Sequence, residues 1–348
     1  MSEDKRKNDI DEGQDDGTTK ESRRDFLKKM GVAAAVTTVA PAATAATTKA
    51  ASIAEHLQTH FEMMSDSQKE AAIARLEKRY SEQFEKQVTV ANTPAPDEVL
   101  FGYALNISKC IGCRRCVEAC VRENNQSRDP AIQWIRVLQM ERGNDTFELE
   151  NWHKGTPSSS RIGDYGVQSG GHADKAVGVS GHTDHYYEPE QVPEENAFYF
   201  PVQCQQCEDP ACVRACPVQA TYRDPNGIVV IDYNWCIGCR MCQLACPYWA
   251  RRFNWSEPDL PNEEMNPKTH YLGNRPRMRG VMEKCTFCLQ RVRDGRYPAC
   301  VEACPVGARK FGNLLDPESE VRKILATKKV FRFKEDFNTE PKFFYYMD

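Results

Sequence analysis

The sequence predicts an α+β chain: two repeated cysteine-rich units with loop insertions, preceded by a helical arm. Three observations carry this. All sixteen cysteines of the 348 residues fall into four quartets. Strand-like stretches lead into three quartets, and a Cys-Pro motif closes three. Upstream of the first quartet, apolar residues recur at helical spacing.

Cys236, Cys239, Cys242 and Cys246 read C-x2-C-x2-C-x3-C-P, the bacterial ferredoxin run that holds [4Fe–4S] clusters. Three thiolates on a tight loop grip three irons of one cube. The fourth, set before a proline, ligates a neighbouring cluster. Gly238 lets the loop backbone approach inorganic sulfide, to which N–H groups donate. Cys110, Cys113, Cys116 and Cys120 repeat the spacing, with Val121 in place of proline. Cys204, Cys207, Cys212 and Cys216 form C-x2-C-x4-C-x3-C-P, and Cys285, Cys288, Cys300 and Cys304 form C-x2-C-x11-C-x3-C-P. The units are therefore expected to be two ferredoxin-like folds, each with two [4Fe–4S] clusters, four clusters in all. Structural zinc pairs two CxxC halves in a closed tetrahedron and needs neither the triple spacing nor the Cys-Pro pair.

The ferredoxin rule also predicts the ligand sets. The second and third quartets are close in sequence and exchange their fourth cysteines. Cluster 2 then takes Cys204, Cys207, Cys212 and Cys246, and cluster 3 takes Cys236, Cys239, Cys242 and Cys216. The outer quartets do the same. Cluster 1 takes Cys110, Cys113, Cys116 and Cys304, and cluster 4 takes Cys285, Cys288, Cys300 and Cys120. Lys109, Arg114, Arg115, Arg240 and Lys284 lie beside ligands. They either raise cluster potentials by offsetting negative charge or are solvated surface charge.

Residues 1–45 read as an export signal. Ser22-Arg23-Arg24-Asp25-Phe26-Leu27-Lys28 is a twin-arginine signature, followed by an apolar stretch and Ala43-Thr44-Ala45 as cleavage site. Twin-arginine export carries folded proteins, so clusters assembled in a reducing cytoplasm survive it. Residues 46–97 form the helical arm and a linker. Ile53, Leu57, Phe61, Met64, Ile73, Leu76, Tyr80 and Phe84 follow helical spacing, with a break at Ser65-Asp66-Ser67. Residues 98–315 carry the four-cluster domain. Phe101–Ile107, 227–232 and, weakly, 280–284 read as strands before cysteine loops. Residues 144–197 are a loop insertion whose His153, His172, His182 and His185 share no ligand spacing, so a partner-contacting surface loop is the expectation. Trp249 to Arg279 reads as packing and partner surface, and residues 316–348 as a C-terminal docking tail.

A net charge of −4 and the lack of a basic stripe give no support for nucleic-acid binding. Outside the N-terminus no apolar run reaches the roughly 18 residues a membrane span needs, so a soluble or peripheral protein is expected. No Ser–His–Asp order, P-loop or dinucleotide fingerprint is present, and no residue is singled out as catalytic.

The four-quartet plan resembles the four-cluster subunits of membrane respiratory enzymes such as polysulfide, dimethyl sulfoxide and tetrathionate reductases. The stretches 106–120, 200–207 and 270–276, with the twin-arginine leader, are most similar to the DsrO (HmeA) type of iron–sulfur subunit. That type belongs to the Dsr, or Hme, complex of sulfate reducers. The resemblance implies a non-catalytic electron-transfer subunit on the outer face of the cytoplasmic membrane. It implies electron passage between a menaquinone-reactive NrfD-type integral membrane subunit and a multihaem cytochrome c. It also implies links to a cytochrome b and a heterodisulfide-reductase-like subunit. Two other readings stay open: the electron-transfer subunit of a molybdopterin reductase, and a cluster-stabilised assembly scaffold whose metals never turn over.

Overall fold

The computed structural model describes residues 65–141 and 197–348. The export signal, the arm up to residue 64 and the insertion with its four histidines lie outside the described residues.

In chain order the strands are β1 (Thr89–Ala91), β2 (Phe101–Asn106), β3 (Arg136–Glu141), β4 (Ala197–Val202), β5 (Thr221–Arg223) and β6 (Val229–Ile231). They continue as β7 (Arg252–Phe253), β8 (Lys268–His270), β9 (Met282–Glu283), β10 (Arg309–Asn313), β11 (Val330–Arg332) and β12 (Phe343–Tyr346). The helices are α1 (Asp66–Phe84), α2 (Arg115–Glu123), α3 (Ala211–Arg214), α4 (Met241–Leu244), α5 (Leu289–Val292), α6 (Ala299–Glu302) and α7 (Glu320–Thr327).

The serine break of the arm is the start of α1. Ser65 caps it, and its hydroxyl and the Gln68 side chain bond reciprocally to each other's backbone N–H. Leu76, Tyr80 and Phe84 recur every four residues and bury one face of the helix against Val88, Val90, Leu260 and Met265. β1 then pairs in parallel with β8. The 249–279 stretch, expected to be packing and partner surface, thus serves in part as the arm's seat. Its Arg275 and Arg277 are buried, Arg277 in an ion pair with Glu283 at 2.9 Å.

A ferredoxin-type unit pairs its first strand with its last around a central hairpin. The outer unit keeps the first pairing: β2 and β10 are antiparallel, Tyr103 opposite Phe311. The inner unit keeps the hairpin, β5 against β6. The remaining strands exchange partners. β3 of the outer unit pairs with β4 of the inner one, and β7 of the inner with β9 of the outer. The two units are therefore knitted into one another. Helix packing follows the same nesting, with α2 against α6 and α3 against α4.

The end of the chain expected to be a docking tail contributes a strand to the fold. β12 is an interior strand of the four-stranded sheet β10-β2-β12-β11, parallel to β2. All four of its residues are buried. Alternation sends Phe343 and Tyr345 into the main core and Phe344 and Tyr346 against Val321 and Ile324 of α7. Phe343 stacks on Tyr103, and Tyr345 on Phe200, each at 4.5 Å. Among the described residues no helix is long and apolar enough to cross a membrane.

Candidate metal centre

Each CxxC loop turns through a left-handed residue at its third position: Gly112, Gln206, Gly238 and Phe287, with φ between 48° and 75°. That conformation aims backbone N–H groups at the preceding sulfur. Gly112 donates to Cys110 and Gly238 to Cys236, and Phe287 N lies 3.4 Å from Cys285 Sγ. Two of the four turns use no glycine. Gln206 is held instead by its side chain, which donates to Cys285 O at 2.7 Å and accepts from Val229 N at 2.8 Å.

After the fourth cysteine, proline decides the helix length. Pro217, Pro247 and Pro305 cannot continue a helix, and α3, α4 and α6 stop after four residues. Val121 can, so α2 runs through Cys120 to Glu123. This extension positions Asn124 and Gln126. Gln126 Nε2 lies 3.1 Å from Cys120 Sγ, and Asn124 Nδ2 lies 3.5 Å from Cys288 Sγ.

The thiols gather in four pockets. Burial pushes Cys110 up to about 12, and Cys116 and Cys304 add to the rise. Cys113 is raised by burial and then by the same two residues. These four line one cavity with Gly112, Ala308 and Arg309 in its walls. Cys207, also pushed by burial to about 12, neighbours Cys204, Cys212 and Cys246. Cys236 is raised by burial and neighbours Cys216 and Cys239, and Cys242 joins Cys236 and Cys216. Cys120 is raised by burial and by Cys288, Cys285 and Cys300. In each pocket three thiols of one quartet thus meet the fourth of another.

The pockets also touch in a row. Cys300 of the pocket around Cys120 neighbours Cys116 on one side, and Cys285 of the same pocket neighbours Cys204 on the other. Cys242 neighbours Cys212 at the far end. Numbered as the expected clusters, the pockets run 1, 4, 2, 3. Pocket 4 is fully enclosed, whereas Cys239 of pocket 3 is exposed.

Four thiols crowded away from water repel one another as thiolates, so the pockets suit a multiply charged metal cofactor. Among the described residues no three or more His, Cys, Asp or Glu side chains gather closely enough for a single ion. All-cysteine sets of four are the donor set of an iron–sulfur cluster.

The basic residues flagged in the sequence have mixed fates. Arg114 turns to Gln133 at 2.9 Å, Lys109 pairs with Asp348 at 3.1 Å, and Arg240 sits 4.4 Å over the Trp255 ring. Lys284 is buried and donates to the carbonyls of Val229 and Cys285. Arg115 is exposed and eases the Cys113 thiol downward. Arg251, read from sequence as packing and partner surface, and Arg309, not singled out there, are two buried cations at the thiols. Arg251 Nη2 lies 2.9 Å from Cys212 Sγ. Arg309 reaches Tyr103, whose hydroxyl is 3.3 Å from Cys300 Sγ. A signal was available: both follow a Cys-Pro by the shared pattern Cys-Pro-x-x-Ala-Arg.

Comparison with known proteins agrees with this chemistry. A 4Fe-4S dicluster domain model matches residues 195–266 and 267–314, and a 4Fe-4S binding domain model matches residues 107–120. The chain is 40% identical over 246 residues to a Halobacterium salinarum protein named for the iron–sulfur subunit of a dimethyl sulfoxide reductase. That alignment covers 70% of this chain and 78% of that protein. It is 43% identical over 166 residues to an iron–sulfur subunit of an Hdr-like menaquinol oxidoreductase from Archaeoglobus fulgidus, covering 45% of this chain and 59% of the relative. It is 32% identical over 274 residues to the iron–sulfur cluster-binding subunit of a menaquinone reductase from Nitratidesulfovibrio vulgaris, covering 71% and 89%. With its nested thiol pockets and these relatives, the chain belongs to the family of [4Fe–4S] iron–sulfur subunits of multi-subunit oxidoreductases such as dimethyl sulfoxide reductase and menaquinone reductase.

Proposed function

We propose that the chain is the electron-transfer subunit of a membrane-bound, menaquinone-linked respiratory complex of the DsrO (HmeA) type. In this reading it holds four [4Fe–4S] clusters and has no substrate site of its own. The ligand sets are Cys110, Cys113, Cys116 and Cys304; Cys204, Cys207, Cys212 and Cys246; Cys236, Cys239, Cys242 and Cys216; and Cys285, Cys288, Cys300 and Cys120. The observation that carries the reading is the row of four touching thiol pockets, each completed by a cysteine from another quartet. The chemistry such clusters supply is reversible one-electron transfer. The chain's own residues fix the thiols in position, keep water from the interior pockets and donate hydrogen bonds to sulfur. Exchange with partners would occur at the ends of the row, pockets 1 and 3.

The Archaeoglobus relative, named as a subunit of an Hdr-like menaquinol oxidoreductase, supports a menaquinol-linked complex. The resemblance to the DsrO (HmeA) type implies an NrfD-type membrane subunit, a multihaem cytochrome c, a cytochrome b and a heterodisulfide-reductase-like subunit as partners. The twin-arginine stretch favours export to the outer membrane face, and the resemblance to the DsrO (HmeA) type favours sulfate respiration as the setting. The dimethyl sulfoxide reductase and selenate reductase relatives support a second reading, in which a molybdopterin subunit is the partner. Purification of the native complex separates the two by subunit content and molybdenum.

Ligand sharing is tested by Cys304→Ser and Cys246→Ser. Cys304→Ser should damage the cluster of Cys110, Cys113 and Cys116, leaving a [3Fe–4S] form or an empty pocket in iron counting and paramagnetic resonance. Cys246→Ser should do the same to the cluster of Cys204, Cys207 and Cys212. Damage confined to the Cys285, Cys288 and Cys300 cluster in Cys304→Ser would show that each quartet serves itself. A reductive titration of the intact complex in which no cluster changed state during quinol oxidation would remove the electron-transfer role.

A further inference from the structure

We propose that Arg251 and Arg309 are two internal counter-ions, each shared by a pair of neighbouring pockets, and that each sets the reduction potentials of its two clusters together. This rests on the reading that the pockets hold [4Fe–4S] clusters.

The first observation is placement. Arg251 lies five residues after Cys246 and Arg309 five after Cys304, so the two are equivalent positions of the two units. Each stands where its unit's pockets meet. Arg251 acts on Cys212, Cys204 and Cys246 of pocket 2 and on Cys242 of pocket 3. Arg309 acts on Cys116 of pocket 1 and Cys300 of pocket 4. The anchoring is neutral in both cases. Arg251 donates to Thr221 Oγ1 at 2.9 Å, and Arg309 to Gln203 Oε1 at 2.9 Å and the Tyr103 hydroxyl at 3.1 Å.

The second observation is what these side chains leave unused. Arg251 is 1% exposed and Arg309 3%. Nε and Nη1 of Arg251 and Nη2 of Arg309 have no hydrogen-bond partner among the described residues. No carboxylate among the described residues forms an ion pair with either. A buried guanidinium with idle donors and no counter-charge is costly. Anionic sulfur in the pockets supplies both missing partners.

The consequence is electrostatic. Guanidinium stays charged at any pH the protein meets. Adding an electron makes a cluster more negative, so a fixed cation nearby favours the reduced state. A cation between two clusters does this for both. It also offsets the repulsion between two reduced neighbours.

The test is a redox titration of the full-length, cluster-loaded protein, followed by paramagnetic resonance. In Arg251→Gln the reduction equilibria of clusters 2 and 3 should each fall about tenfold, equivalent to about 59 mV for one electron. Clusters 1 and 4 should hold. Arg309→Gln should show the converse. Arg251→Lys and Arg309→Lys keep a charge and should stay within about threefold of the native equilibria. If the glutamine variants do not load, Thr221→Val carries the test. It removes a neutral anchor of Arg251 and should move clusters 2 and 3 together. A shift of one cluster alone, equal shifts of all four, or none overturns the shared role. A native protein without reducible clusters would instead overturn the underlying function.

Discussion

At Gly238 two separate constraints meet. The residue is left-handed, with φ +72°, and a Cβ there would run into the carbonyl oxygen of Gly280. Gly280 is also left-handed, with φ +84°, but has open space around it. The pair separates strain from collision. Gly280→Ala should cost about 1 kcal/mol, whereas Gly238→Ala should cost about 3 kcal/mol or more and empty pocket 3. Melting temperature and iron per chain measure both; equal losses in the two variants would discount the close approach. His270 gives a pH effect at the same scale. Burial lowers it to about 4, and Arg293 at 3.5 Å opposes its protonation, while the Thr93 carbonyl and Asp294 favour it. The unfolded imidazole titrates near 6.5, so the folded state binds this proton more weakly. The stability held by neutral His270 is present above pH 6.5 and is lost as pH falls towards 4, at most roughly 3 kcal/mol. His270→Gln should remove that part of the acid sensitivity, and an unchanged pH slope in denaturant unfolding would exclude it. Gly238 was legible from the C-x-G-C spacing. Its reason was not wholly so, because the Gly280 carbonyl approaches from 42 residues along the chain.

Among the elements, β12 most changes the reading of the chain. From sequence, Phe343-Phe344-Tyr345-Tyr346 is an aromatic end with no visible partner. In the fold it is an inner strand whose two faces serve two cores. Tyr345→Ala should therefore cost about 3–5 kcal/mol. Deleting residues 343–348 should abolish cluster-loaded protein altogether. A docking tail would behave differently, leaving a stable, loaded chain that fails only to join its partner. Iron content of the truncated protein decides. The helices were easier to foresee. Proline after the fourth cysteine sets three of them at four residues, and its absence at Val121 gives α2 its extra length. That the extension would bring Gln126 back to Cys120 depends on a turn no spacing rule describes.

For the whole molecule, the proposed export sets one requirement and the row of pockets another. If the twin-arginine reading holds, the chain crosses the membrane already folded, with its clusters in place. Replacing Arg23 and Arg24 with Lys should leave loaded protein in the cytoplasm, as fractionation and iron analysis would show; normal export of that variant would end the reading. Within the fold, the sequence by itself determined the [4Fe–4S] cofactor chemistry and the grouping of the cysteines into repeated quartets. Cysteine spacing is a local property, and the C-x2-C-x2-C-x3-C run is the spacing that holds such clusters. Tertiary structure alone decided the exchange of β3 and β9 between the units, the burial of the C-terminal strand and the order of the pockets. The Cys-Pro-x-x-Ala-Arg pattern marks Arg251 and Arg309 in the sequence, but only the fold buries them against thiols. Which cation meets a thiol depends on desolvation and on contacts between distant segments, which the shared motif does not by itself specify.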